Sequence, residues 1–162
     1  MKQLTLFILL ALISGCYARV PDKTGEEGKP IPNFRIQKDS ISGFYTSKIP
    51  KGNPIVMVYY GTNCPYSRSE IQEILEGADD LKYVGFYLIT AEDFPAILKF
   101  RDAYAIWGYR NVFPGKDVAG FFSKHFNVPG VPYTVIYNRE GKLTAAFAGK
   151  IGLAEIKKYI DA

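Results

Sequence analysis

Ile-Val-Met-Val-Tyr-Tyr-Gly-Thr-Asn-Cys-Pro-Tyr-Ser-Arg-Ser-Glu-Ile-Gln-Glu-Ile-Leu, residues 55–75, joins six apolar or aromatic residues to a polar turn and then to a helical pattern. The first six residues do not alternate with polar ones, which is typical of a strand covered on both faces. Residues 61–63 supply a turn, and Pro65 suits the first position of a helix, where its missing N–H costs nothing. The pattern predicts a buried strand that runs into a helix with Cys64 at its N-cap.

The predicted position of Cys64 gives its thiol a chemical role. A helix N-terminus presents unpaired backbone N–H groups and the positive end of the helix dipole, and both stabilise a thiolate. The pKa of a cysteine in such a place falls from about 8.5 to roughly 3.5–7.5, which makes the thiol a nucleophile near neutral pH. The alternative is a buried structural cysteine, which is common in apolar cores.

The strand, the turn, Cys-Pro-Tyr-Ser and the helix together resemble the active-site segment of thioredoxin-fold proteins, and Cys-Pro-Tyr is similar to a glutaredoxin motif. From about Gly28 to the C-terminus the layout resembles the TlpA-like and redoxin group of envelope proteins. The resemblance implies a thioredoxin-like α/β fold, with a central mixed sheet flanked by helices and an N-terminal β extension. The usual motif is Cys-x-x-Cys, and here Ser67 occupies the place of the second cysteine.

The resemblance also implies roles for single residues. Cys64 would attack a disulfide, whereas Ser67 could donate a hydrogen bond to the thiolate but could not resolve a mixed disulfide. The family's buried acid and its tryptophan are replaced by Val58 and Asn63, which removes general-acid assistance from that position.

Substrate contacts are implied as well. The family's cis-proline corresponds to Pro132, so the Val131–Pro132 bond is predicted to be cis and to lie against Cys64. With Pro65 and Tyr66, these two residues would form a shallow groove in which a substrate strand pairs with the backbone at residue 131.

The N-terminus resembles a bacterial export signal. The mostly apolar run Leu4–Ile13 is too short to span a membrane, which takes about 20 residues, but fits the core of a signal peptide. Residues 12–16 resemble a lipobox, which implies that residues 1–15 are removed and Cys16 is lipidated. Cleavage beyond Ala18 is the alternative, and a Cys16–Cys64 disulfide is another. Residues 16–29 then form a flexible tether and residues 30–162 the domain, in a lipoprotein anchored in the envelope membrane and facing the periplasm.

Further elements follow from periodicity along the chain. Residues 105–115 are aromatic and irregular and predict no element, and Val118 is expected to face inward from a helix that Asp117 caps. The predicted elements are a strand at 81–90, a helix at 94–104, that short helix ending at 126, an antiparallel pair made by 127–138 and 143–148, and a closing helix at 153–160.

Composition and spacing exclude several function classes. The net charge of +4 becomes +3 without residues 1–15, which gives no reason to expect a nucleic-acid partner. His125, the single histidine, has no second ligand at a suitable spacing, so no metal or other cofactor is predicted. Peroxiredoxins have Thr or Ser three residues before the reactive cysteine, where this chain has Gly61.

Three functional hypotheses remain. The first is a monothiol enzyme that exchanges protein or small-molecule disulfides and thiols and uses an outside thiol as resolver. The second is a binding or scaffold module without turnover. The third is an oxidant-sensing thiol protein.

Overall fold

The computed structural model describes residues 19–161. Strands and helices alternate through most of this part of the chain. The elements are β1 Arg35–Gln37, β2 Gly43–Tyr45, β3 Ile55–Tyr59, α1 Pro65–Gly77, β4 Gly85–Thr90, α2 Phe94–Ala103, β5 Val112–Lys116, α3 Phe121–His125, β6 Tyr133–Tyr137, β7 Leu143–Ala148 and α4 Leu153–Ile160.

The seven strands form one mixed sheet in the order β2-β1-β5-β4-β3-β6-β7. β3, β4 and β5 are parallel, and antiparallel strands flank them on both sides. The carboxyl ends of the parallel strands therefore meet at one edge of the sheet, together with the start of β6 and the end of β7. We call this the active-site edge, because the Cys64 turn follows β3 there.

Both faces of the sheet are covered, which explains the unbroken apolar run of β3. Val56 and Val58 belong to a core shared with α1, α2 and α4, whereas Ile55 and Met57 belong to a second core shared with α3 and β1. All four side chains are buried. Since burying such a side chain contributes about 1.5–3 kcal/mol, this strand anchors both layers of the domain.

The segment 105–115, which the sequence analysis could not assign, contains the start of β5. The sequence did not predict this strand, because Pro114 and Gly115 are both unfavourable inside strands. Only a glycine fits at position 115 without a shift of its neighbours, since a Cβ there would lie 2.3 Å from Cγ2 of Ile36 in the neighbouring β1. Asn111 fixes the entry to the strand by donating to the carbonyls of Ala78, Leu81 and Val84 at 3.2, 2.9 and 3.1 Å.

The predicted inward orientation of Val118 is wrong. Helix α3 begins at Phe121, after a turn in which Gly120 has a φ of 61°, so Val118 lies in that turn and is 61% exposed. Asp117 nevertheless reaches the helix, because its carboxylate accepts a hydrogen bond from the Phe122 N–H at 2.7 Å. Asp117 therefore bonds the first turn of the helix, although the N-cap residue itself is Gly120 and not Asp117.

Residues 19–30, which we call the N-terminal strap, lie along β7. The Asp22 N–H donates to the Ala146 carbonyl at 2.7 Å, and Gly28 and Lys29 exchange hydrogen bonds with Leu143 at 2.9 and 3.0 Å. A flexible tether was expected up to residue 29, but its described part is bound to the domain. The strap covers the backbone of an edge strand that would otherwise be open to pairing with other chains.

Candidate active site

Cys64 is the N-cap residue of α1, and Pro65 occupies the first helical position, as predicted. The turn before the helix closes with a hydrogen bond from the Cys64 N–H to the Gly61 carbonyl at 3.1 Å. The Cys64 carbonyl then accepts the first helical hydrogen bond from the Arg68 N–H at 3.0 Å. The thiol therefore lies over the first turn of the helix, and it is partly exposed.

The pKa of Cys64 is lowered from its ordinary value. Burial by itself raises the pKa, but hydrogen bonds to the sulfur from the Ser67 N–H, the Ser67 hydroxyl and the Tyr66 N–H outweigh it. These donors are the free backbone groups of a helix N-terminus together with one side chain. The site therefore favours the thiolate, which is the nucleophilic form.

Ser67 is completely buried beneath Cys64. Its hydroxyl oxygen accepts a hydrogen bond from the Gly61 N–H at 3.3 Å, and its proton is directed to the sulfur. A hydroxyl can make both contacts at once because it combines one donor with two acceptor lone pairs. Ser67 thus ties the turn before the helix to the thiol, which suits the predicted role of a hydrogen-bond donor to the thiolate.

The Val131–Pro132 peptide bond is cis, as predicted from the resemblance. It brings the Val131 carbonyl oxygen to 3.5 Å from the Cys64 sulfur, within the range of a weak S–H donor. Gly61 allows this approach, since a Cβ there would lie 3.2 Å from the Val131 side chain and 3.5 Å from that of Cys64. Two segments 67 residues apart in the sequence thus meet at the thiol.

Around the thiol, the predicted site residues differ in accessibility. Pro65 and Tyr66 are exposed on the rim, and Tyr66 has 66% of its surface accessible. Val131 is partly buried and Pro132 is buried. An open rim above a thiol is consistent with a shallow groove rather than an enclosed pocket.

Sequence reasoning missed the residue that holds the turn before Cys64. Glu92, just beyond β4, accepts a hydrogen bond from the Thr62 N–H at 2.7 Å and a second one from the Thr62 hydroxyl. On the other side, Arg68 donates to the Thr62 carbonyl at 2.6 Å. The available signal was the parallel pairing of β3 and β4, which brings the residues after both strands to one edge.

A buried acid on α1 was also missed. Glu70 is completely buried, accepts a hydrogen bond from the Thr134 hydroxyl at 2.5 Å, and accepts another from the Ile151 N–H at 3.1 Å. Burial raises its pKa to about 7, although these hydrogen bonds and the charges of Arg19 and Lys150 act in the opposite direction. Glu70 lies about 9 Å along the helix from Cys64, too far for a direct hydrogen bond.

A cavity of about 470 Å³ opens on the other side of the turn from Val131. Thr62 and Asn63 form its wall next to the site, and Arg68 and Lys99 bring two positive charges to it. The far wall is formed by Phe100 and other residues of α2. Its size and charge suit a small anionic molecule next to the turn that precedes Cys64.

Within residues 19–161, no group of three or more His, Cys, Asp or Glu side chains could hold a metal ion. None of the helices described is long and apolar enough to cross a bilayer. The predicted signal peptide and the lipidated Cys16 lie outside the described residues.

A family model described as a thioredoxin-like domain matches residues 47–162. A secreted disulfide oxidoreductase of Mycobacterium tuberculosis, homologous to E. coli DsbE, is 22% identical, with a TM-score of 0.64 over 78% of this chain and 93% of its own. A thio-disulfide isomerase of Thermus thermophilus is 24% identical, with a TM-score of 0.64 over 82% and 92%. A thiol:disulfide interchange protein of Chlorobium tepidum is 18% identical, with a TM-score of 0.66 over 88% and 95%.

Among curated proteins, none matches the sequence. The structural likenesses agree on the fold, including the mixed sheet and its flanking helices. The family model covers the cysteine turn, the cis-proline loop and the strands that bring them together. The chain therefore belongs to the thioredoxin-like domain family.

Proposed function

We propose that this chain is a cell-envelope thiol–disulfide oxidoreductase that works through the single thiol of Cys64. The Cys64 thiolate attacks one sulfur of a substrate disulfide, a new S–S bond forms, and the other substrate sulfur leaves as a thiolate. An outside thiolate then attacks the Cys64 sulfur or its partner sulfur, and the mixed disulfide is exchanged for a new one. Electrons balance because each step replaces one S–S bond by another.

The observation that carries this proposal is the position of Cys64 at the N-cap of α1, where backbone and Ser67 donors lower the pKa of the thiol. The thiol is accessible enough to be attacked, and the cis-proline loop lies against it. Ser67 supports the first step by stabilising the thiolate, but it offers no sulfur for the second. The second step must therefore come from outside the described chain.

The rim residues support a groove for the substrate. An extended segment that crosses Pro65 and Tyr66 would meet the backbone at Val131 and could pair with it in the manner of an added strand. Protein disulfides fit this open surface, and the cationic cavity beside the turn leaves room for a small anionic thiol as resolver.

The proposed location rests on the N-terminal sequence. The apolar run and the lipobox-like residues before Cys16 support a lipid anchor in the envelope membrane, with the domain facing the periplasm. Two or more acyl chains would make that anchoring stable. We expect the native protein to partition into a detergent phase and the Cys16→Ser variant to remain in the aqueous phase.

The test of the chemistry is the pH dependence of Cys64 alkylation, combined with a disulfide-reduction assay on insulin. We expect an alkylation pKa below the ordinary value of about 8.5 for the wild type and a higher one for Ser67→Ala, which lacks the hydroxyl donor. Ser67→Cys should form an intramolecular disulfide and reduce insulin faster with a dithiol reductant, and Cys64→Ser should be inactive but folded.

The same measurements distinguish the alternatives. An alkylation pKa at or above about 8.5 would show that α1 does not activate the thiol, and the scaffold reading would then be preferred. A low pKa with formation of sulfenic acid, but without exchange with any disulfide, would point to oxidant sensing.

A further inference from the structure

The N-terminal strap determines where the chain enters the domain. It runs antiparallel to β7, so that Lys29 lies beside Leu143 at the start of that strand and Arg19 lies beside Ala148 at its end. Ala148 in turn pairs with Tyr133, the first residue of β6. The chain therefore enters at the active-site edge of the sheet and not at the opposite edge.

Short contacts connect this entry point to the thiol. The Arg19 guanidinium donates to the carbonyl of Ala148, and the next residue, Gly149, donates its N–H to the Pro132 carbonyl at 2.8 Å. The carbonyl of the preceding residue, Val131, is 3.5 Å from the Cys64 sulfur. The guanidinium therefore lies on the order of 10–15 Å from the sulfur, given about 3.8 Å per residue step.

We propose that this entry point turns the active-site edge toward the membrane surface, so that Cys64 acts on disulfides held close to the bilayer. The inference rests on the proposed lipidation of Cys16. Arg19 lies three residues after Cys16 in the sequence, and a fully extended chain over those three steps spans at most about 11 Å. The backbone of Arg19 is thus held within about 11 Å of the lipidated residue, and its side chain reaches the end of β7.

The chemistry of the edge is compatible with a lipid surface. Val20 is 81% exposed beside the entry point, and Tyr66 and Val118 are 66% and 61% exposed farther along the same edge. Tyrosine suits the boundary between headgroups and acyl chains, since its ring is apolar and its hydroxyl is polar. Lys116, at the end of β5, places a positive charge near this edge, where anionic headgroups would attract it, whereas Lys150 is paired with Glu73 at 3.5 Å.

The distance between the lipid anchor and Cys64 also limits which substrates the thiol can reach. When the lengths of residues 16–19 and of the Arg19 side chain are added, the Cys64 sulfur lies within about 30 Å of the lipid anchor. The favoured substrates are therefore proteins of the same membrane whose cysteines lie near its surface. Freely diffusing proteins would reach the groove only from the side.

The experiment uses the full-length, lipidated protein in vesicles of phosphatidylethanolamine and phosphatidylglycerol that contain a nitroxide-headgroup lipid. In a Cys64→Ser background, a fluorophore is attached at Val118→Cys on the active-site edge or at Asp79→Cys at the opposite edge, where the native side chain is 86% exposed. We expect quenching to be at least twofold stronger at position 118 than at position 79. Equal quenching, or stronger quenching at position 79, would overturn the inference.

Two further variants test the connection to the lipid anchor apart from the thiol chemistry. A 12-residue Gly/Ser insertion between Ala18 and Arg19 should abolish the difference in quenching. If the difference persists, the short connection between Cys16 and Arg19 does not orient the domain. If Cys16→Ser binds vesicles as well as the wild type, the anchor is absent and the inference fails. The alkylation of Cys64 is measured in detergent without vesicles, so it tests the thiol chemistry independently.

Discussion

Replacing Glu70 by Gln should remove a pH dependence from the stability of the fold. The carboxyl is completely buried, and its pKa is raised from 4.5 to about 7, chiefly by burial. A raised pKa means that the folded protein binds the proton more tightly than the unfolded chain. The stabilisation from this group is therefore fully present below pH 4.5 and is lost as the pH rises through 7.

The magnitude follows from the shift. One pKa unit corresponds to about 1.4 kcal/mol, so the free energy of unfolding should fall by about 3 kcal/mol across this window because of Glu70 alone. Glutamine does not titrate, and its amide can still accept from Ile151 and donate to Thr134. Wild type and variant should therefore diverge at acid pH, with the wild type relatively more stable there.

The assay is urea unfolding under reducing conditions, followed by circular dichroism at intervals from pH 5 to pH 8. Glu73→Gln is the matched control. Glu73 lies on the same helix and accepts a hydrogen bond from the Leu153 N–H at 2.8 Å, but it is half-exposed beside Lys150. If Glu70→Gln and wild type show parallel curves, the argument from burial of Glu70 is refuted.

Three other substitutions test contacts of the fold and the site. Gly61→Ala should slow Cys64 alkylation severalfold because a Cβ would press on the cis-proline loop, whereas Gly130→Ala, which has open space around it, should react normally. Gly115→Ala should destabilise the protein by about 1–3 kcal/mol in urea unfolding through its clash with β1, and Gly108→Ala, with no neighbour within 4 Å, should cost less than that. Asn111→Leu should lower the unfolding free energy by about 2–4 kcal/mol, since the partly buried amide that donates to three carbonyls is removed, and a change below 1 kcal/mol would contradict that role.

Local sequence signals predicted the centre of the fold well. The turn at 61–63, Pro65 and the apolar run of β3 lie next to each other in sequence, so propensity and periodicity were enough to predict the strand, the N-cap and the helix. The family resemblance supplied the cis bond at Pro132, which base rates alone would not favour, because only about 5–6% of X–Pro bonds are cis.

Features that depend on tertiary contacts were not predictable in the same way. The strand β5 carries Pro114 and Gly115, and it is stabilised by its neighbours rather than by its own propensities. The strap looks like a linker because its backbone hydrogen bonds to β7 require no particular side chains, so no periodic pattern marks it in the sequence. The burial of Glu70 could not be predicted from the sequence, since a glutamate on a helix is ordinarily exposed.

The serine at position 67 determines both what the site can do and what it needs. Its hydroxyl and N–H lower the pKa of Cys64, so the first attack does not require a second cysteine. The same residue is completely buried and carries no sulfur, so no second thiol among residues 19–161 is available to open a mixed disulfide. Under the proposed function, exchange at this site is therefore a two-stage reaction, in which the second thiol determines whether the protein turns over or keeps its substrate.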